Sequence, residues 1–112
     1  MDRRIQLAII LLESRLASTP DLFEIAGQVN LSPSRLRHLF KSETGQTPFQ
    51  YLKCIRLQKA AALLGTTFLS VKEIANQVGI QNASQFIREF KKQYGVAPTN
   101  YRKRLEKRSF LR

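Results

Sequence analysis

Two stretches of this 112-residue chain gather the side chains that could do chemistry, and three positions of each set recur at one spacing. They are Ser34, Arg37, His38 and Lys41 in PSRLRHLFK, and Ser84, Gln85, Arg88 and Lys91 in ASQFIREFKK. An arginine guanidinium is a planar fork of donors that suits a guanine edge or a phosphate. Serine, histidine and glutamine both donate and accept hydrogen bonds, and lysine adds a mobile positive charge. The chemistry on offer is recognition. His38 is the single histidine and Cys54 the single cysteine, which excludes an internal disulfide. A zinc site needs about four clustered ligands, and none is spaced for it. No Gly-rich phosphate loop and no GxSxG occurs. No enzyme activity, metal or other cofactor is therefore expected, and Cys54 reads as a small buried residue.

If each stretch is helical, an advance of about 100° per residue sorts it into two faces. In the first, Leu36, Leu39 and Phe40 share a stripe. Ser34, His38 and Lys41 point away from it, flanked by Arg35 and Arg37. In the second, Phe86, Phe90 and Tyr94 share a stripe, while Ser84, Arg88 and Lys91 point away, flanked by Gln85 and Lys92. Lysines alone at such places would be solvated surface, and His38 alone an ordinary surface histidine. Ile87 lies about 100° from the buried stripe. It either meets a thymine methyl or packs under the edge of the core, and the second is expected.

The elements that must position these faces occur twice. EIAGQV at 24–29 returns as EIANQV at 73–78, an offset of 49. One residue is inserted in the second copy, and the offset becomes 50. Ser34 then matches Ser84, Phe40 matches Phe90, Lys41 matches Lys91, Gly45 matches Gly95, Pro48 matches Pro98 and Tyr51 matches Tyr101. Agreement held in one register marks a duplicated structural unit. Each copy predicts helix, tight turn, helix. Asp21 and Ser70 suit the caps of the first helices. Ser32, with Pro33 behind it, and Asn82 suit the caps of the second. Gly45 and Gly95 suit helix ends, and Ala26 and Ala75 allow close crossing. Two helices across a tight turn form the motif whose second helix enters the DNA major groove.

Charge agrees with a polyanionic ligand. The chain has 19 Lys+Arg against 8 Asp+Glu, a net charge of +11. By residue count, 1–50 carries net +1 and 51–112 carries net +10. Hydrophobic residues make up 43%, which suits a folded chain over a disordered one. The apolar run LAIILL at 7–12 is too short to cross a membrane, and no cleavage site follows it. Residues 4–17 predict an amphipathic first helix with Ile5, Ile9, Leu12 and Leu16 inward. PFQYLKCIRLQKAAALL, from Pro48 to near Gly65, predicts a connecting helix of about 25 Å that holds the two units rigidly apart. A last helix starts near Pro98, and residues 100–112 hold six basic residues and one acidic. The expected organisation is an all-α chain. Residues 1–47 form a first helix-turn-helix subdomain, 48–65 a linker helix and 66–112 a second subdomain.

Beyond these patterns, two runs resemble the DNA-binding domain of AraC/XylS-type bacterial transcription regulators. They are LSPSRLRHLFKSETGQTPFQYLKCIRLQKAAALL and SVKEIANQVGIQNASQFIREFKKQYGVAPTNYRKR, and the likeness covers about residues 5–106. The resemblance implies seven helices, with two helix-turn-helix units joined by a long helix. It implies double-stranded promoter DNA as ligand, read in adjacent major-groove segments, RNA polymerase as a second partner and a cytoplasmic location. It maps base contacts onto Ser34, Arg37 and His38, and onto Ala83, Ser84, Gln85 and Arg88. Ala83 can offer only apolar contact. Ser32, Arg35, Lys41, Asn82, Lys91 and Lys92 are then expected at the DNA backbone. Ile80 stands where the family usually has an aromatic, and is expected to be a core substitution. Two unlike reading helices on one chain predict an asymmetric site and a monomeric DNA-binding domain. Most family members carry a further effector-binding or dimerisation domain. This chain is then a stand-alone member or a domain of a longer regulator, and a first helix beginning almost at Met1 favours the second. Two other functions stay open. One is a protein-interaction module that no longer reads DNA, against which the basic faces with Arg37 and Arg88 argue. The other is an RNA-binding helical domain, which would need exposed aromatics where Phe40, Phe86 and Phe90 lie on core stripes.

Overall fold

The structure, a computed structural model, describes residues 1–18 and 20–111. In chain order it contains α1 (Arg3–Ser14), α2 (Leu22–Gln28), α3 (Pro33–Thr44), α4 (Pro48–Thr66), α5 (Val71–Gln77), α6 (Ala83–Tyr94) and α7 (Pro98–Leu111). The fold is all-α, with seven helices among the described residues. Arg112, counted above in the basic tail, lies outside them.

Side-chain caps explain where the short helices start. The Asp21 carboxylate accepts from Phe23 N at 2.9 Å and Glu24 N at 3.4 Å. Ser32 Oγ accepts from Arg35 N at 3.1 Å, and Asn82 Oδ1 from Gln85 N at 3.0 Å. At α5 the satisfaction is reciprocal. Glu73 N donates to Ser70 Oγ at 3.1 Å, and Ser70 N donates to Glu73 Oε1 at 3.0 Å. The backbone N–H of Ser70, and secondarily its side chain, hold the Glu73 carboxyl below the usual carboxylate range. Ser70→Ala removes the acceptor from an amide with no helical partner. The variant should lose about 1 kcal/mol, read as a lower urea midpoint at unchanged slope. An unmoved midpoint would mean that water serves that amide as well as Ser70 does.

One boundary differs from expectation. α1 stops at Ser14 and not at 17, because Arg15 N turns back to Leu12 O at 3.3 Å and Ser18 Oγ donates to Arg15 O at 3.0 Å. Leu16 is therefore half-buried outside the helix. α4 runs through Gly65 to Thr66. A Cβ on Gly65 would come 3.0 Å from Leu105 Cδ1, so this glycine makes room for α7.

The chain divides into two compact units, Met1–Ile55 and Arg56–Arg112, with the boundary inside α4. In the first, Ile5, Ala8 and Leu12 of α1 pack with Ile25, Ala26 and Val29 and with Leu36 and Phe40 of α3. Tyr51 and Ile55 of α4 close over that core, and the Tyr51 ring meets Phe40 edge-on at 5.5 Å. In the second, Leu57, Ala60, Ala61 and Leu64 of α4 pack with Ile74, Ala75, Val78, Ile80, Phe86 and Phe90. Phe90 touches three other aromatic rings: Phe86 at 5.8 Å, Tyr94 at 4.6 Å and Tyr101 at 5.3 Å. Ile80, 8% exposed, is a core residue as its position predicts. Residues 48–65 lie in α4, whose residues up to Ile55 belong to the first unit and those from Arg56 to the second.

The duplication reaches further upstream than the letters show. Ile5, Ala8 and Leu12 are buried on α1, and 52 residues later Leu57, Ala60 and Leu64 are buried on α4. Each unit therefore repeats the same order: supporting helix, short helix, turn, outer helix, closing helix. No helix among the described residues is long and apolar enough to cross a membrane.

Candidate nucleic-acid interface

Both turns are built alike. α2 ends with Asn30 at φ 59°, a left-handed conformation rare for a side-chain-bearing residue. Leu31 N then reaches back to Ala26 O at 2.8 Å, and Asn30 N to Gly27 O at 3.2 Å. α5 ends with Gly79 at φ 87°, with Ile80 N to Ala75 O at 2.9 Å and Gly79 N to Asn76 O at 3.2 Å. This paired closure satisfies the last helical carbonyls and turns the chain sharply. The left-handed residue was not foreseen from sequence. Asparagine tolerates that region better than other side chains, and its pairing with Gly79 across the repeat was the available signal. Gln81 is the residue inserted in the second copy. α3 and α6 then run twelve residues each and end at Gly45 and Gly95, both at φ 80°.

The outer faces of these two helices hold most of the proposed contacts. Ser34, Arg35, Arg37, His38 and Lys41 are all exposed on α3. Ser84, Gln85, Arg88, Lys91 and Lys92 are exposed on α6, and Ala83 is half-buried at its first position. Ser32 and Asn82 are exposed at the caps. Their oxygens accept a helix amide, which leaves the Ser32 hydroxyl hydrogen and the Asn82 amide hydrogens as outward donors. Opposite these faces, Leu36, Phe40, Phe86 and Phe90 are 0–1% exposed, while Leu39 and Tyr94 are half-buried. The salt bridges Arg4–Asp2 and Arg15–Glu24 involve no cation of α3 or α6. Those cations remain available to an external anion.

Ile87 departs from expectation. It does not tuck under the core, being 40% exposed and outside the core cluster. The buried stripe of α6 runs through Phe86 and Phe90, and Ile87 lies beside it on the exposed flank. Arg102 also has a role that the count of tail charges concealed. Its Nε donates to Leu64 O at 3.0 Å and its Nη2 to Thr67 O at 3.2 Å, tying α7 to the open carbonyl end of α4. Lys103, Arg104, Lys107 and Arg108 stay exposed on α7. Cys54 is half-buried, and Gln46 Nε2 lies 3.3 Å from its sulfur. Among the described residues no cluster of His, Cys, Asp and Glu could hold a metal ion.

A family model described as a helix-turn-helix domain matches residues 25–104. The chain is 42% identical over 80 residues to the HTH-type transcriptional regulator MtrA of Neisseria gonorrhoeae, covering 71% of this chain and 27% of that protein. It is 35% identical over 103 residues to the arabinose operon regulatory protein of Escherichia coli K12, covering 91% of this chain and 35% of that protein. The chain thus spans about a third or less of the length of these curated relatives. Among solved structures it is similar to the C-terminal domain of the two-component response regulator yesN from Fusobacterium nucleatum. The TM-score is 0.81 at 33% identity, covering 90% of this chain and 99% of that one. It is also similar to the DNA-binding domain of AdpA, solved in complex with a target DNA. There the TM-score is 0.83 at 29% identity, covering 96% of each chain.

Proposed function

The chain belongs to the AraC-type helix-turn-helix family of DNA-binding transcription regulators, and from that premise we propose that α3 and α6 are both recognition helices, reading adjacent major-groove segments of one double-stranded promoter site. One observation carries the proposal. The same helix–turn–helix is built twice, and each copy turns a polar, cationic face outward at matching positions while its partner face is sealed in a core. Ser34, Arg37 and His38 contact bases from α3, and Ala83, Ser84, Gln85 and Arg88 contact bases from α6. Ser32, Arg35, Lys41, Asn82, Lys91 and Lys92 neutralise or hydrogen-bond the backbone. The two sets of base-reading residues differ, so the site is asymmetric and one chain suffices to occupy it. RNA polymerase is the second partner that this role would engage.

The test separates base reading from phosphate attraction. Sites are first selected from a random duplex pool. Arg88→Ala should then cost about 1–3 kcal/mol on the best site, the worth of a bidentate guanine contact, and far less on random DNA. Arg88 is exposed and its loss leaves the core intact. Equal losses on both duplexes would reduce Arg88 to a phosphate contact. A pool that yields no preferred sequence would remove base reading altogether.

A further inference from the structure

We infer that Ile87 is a specificity residue that recognises the 5-methyl group of a pyrimidine in the major groove, next to the guanine assigned to Arg88. The inference rests on the proposal that α6 reads bases. Other exposed large apolar residues, Leu7, Ile10, Phe23, Phe49 and Phe68, lie away from α6, and singly exposed apolar residues are common. Ile87 differs in where it stands. It is 40% exposed on α6, with Ala83 one turn before it and Ser84 and Arg88 on the neighbouring stripe. Ala83 and Ile87 together make a short apolar edge along an otherwise polar face. The duplicated unit supplies an internal control. The equivalent of Ile87 is Arg37, also exposed, so the fold does not require an apolar side chain at this position. A β-branched residue is also a poor choice for an exposed helix interior on propensity alone.

The chemistry fits a methyl group. Isoleucine in a helix is held to one dominant rotamer, so its own methyl groups are presented at a fixed place. In the major groove, thymine alone among the four bases offers an apolar group, its 5-methyl, and small apolar side chains contact it. 5-Methylcytosine carries the same group at the same position. Residues 87 and 88 are separated by a rise of about 1.5 Å along α6, so the methyl should lie within about two base pairs of the Arg88 guanine.

On the best selected duplex, each thymine is replaced singly by deoxyuridine, which lacks only the methyl group. For the wild type, one replacement near the Arg88 guanine should weaken binding about four-fold, the worth of one buried methyl group. Ile87→Ala should bind the unmodified duplex several-fold more weakly and be insensitive to that replacement. Because Ile87 lies outside the core, helical content of the variant by circular dichroism should match the wild type. At the same position, a 5-methylcytosine·guanine pair should be bound better than a cytosine·guanine pair by the wild type and equally by Ile87→Ala. The inference is overturned if no uridine costs more than about two-fold, or if Ile87→Ala responds to uridine as the wild type does. Sequence preference that survives without methyl dependence would defeat this inference alone. A pool without any preference would defeat the base-reading proposal beneath it.

Discussion

Raising monovalent salt from about 50 to 200 mM should weaken binding to the selected site by about a thousand-fold. Arg35, Arg37, Lys41, Arg88, Lys91 and Lys92 are exposed on α3 and α6, and none is held in a salt bridge among the described residues. Each that settles on a phosphate releases condensed counterions, which sets a log–log slope on the order of −5. The net +11 of the chain adds long-range attraction, screened over about 10 Å at 0.1 M salt. Lys91→Ala should flatten the slope by about one while leaving the preferred sequence unchanged. A titration in which affinity hardly moves with salt would favour a protein-interaction module over a DNA reader.

Phe90→Ala should destabilise the second unit by about 3–5 kcal/mol. Phe90 is fully buried and is the ring on which Phe86, Tyr94 and Tyr101 converge, so its removal opens a cavity that three neighbours cannot fill without losing one another. Small domains are stable by about 5–15 kcal/mol in total, so the loss leaves Arg56–Arg112 marginal. The chain has no tryptophan, and its three tyrosines divide cleanly: Tyr51 belongs to the first unit, Tyr94 and Tyr101 to the second. Tyrosine signals followed in urea should therefore lose the Tyr94 and Tyr101 environment first, while Tyr51 keeps its transition. A single transition at the wild-type midpoint would show that Phe90 is not the keystone of that core.

Much of this architecture is legible from local chemistry. Asp21, Ser32, Ser70 and Asn82 accept the helix amides expected of them, and Gly45 and Gly95 end α3 and α6. Such signals act over three or four residues, which is why they survive in the letters. The core stripes through Leu36 and Phe40, and through Phe86 and Phe90, follow from the helical period. What stayed hidden depends on distant partners. Arg102 reads as one more basic residue until α7 brings it to Leu64 O, 38 residues away in sequence. Gly65 reads as a helix stop until Leu105 lies over it. α4 shows no single apolar stripe because its first half serves one core and its second half the other. Ile87 lies where the helical period is least decisive, at the flank of a stripe, and only packing decides between edge and surface.

The matched burial of the two units has a consequence for how this protein can change over generations. From 82 to 100, every residue shares its burial class with the residue 50 positions earlier. The two units thus share one pattern of burial, while their outward letters differ: Arg37 against Ile87, His38 against Arg88, Arg35 against Gln85. Substitutions on those outer faces leave both cores untouched, so under the proposed reading by both helices one half can acquire a new preference while the other keeps the chain anchored to its old address. On that proposal, a regulator built this way would migrate between operators by half-steps, each intermediate still folded and still bound. On the same proposal, α3 and α6 would act as exchangeable cassettes, whose outer residues could be transplanted from one scaffold to the other without redesigning what lies beneath.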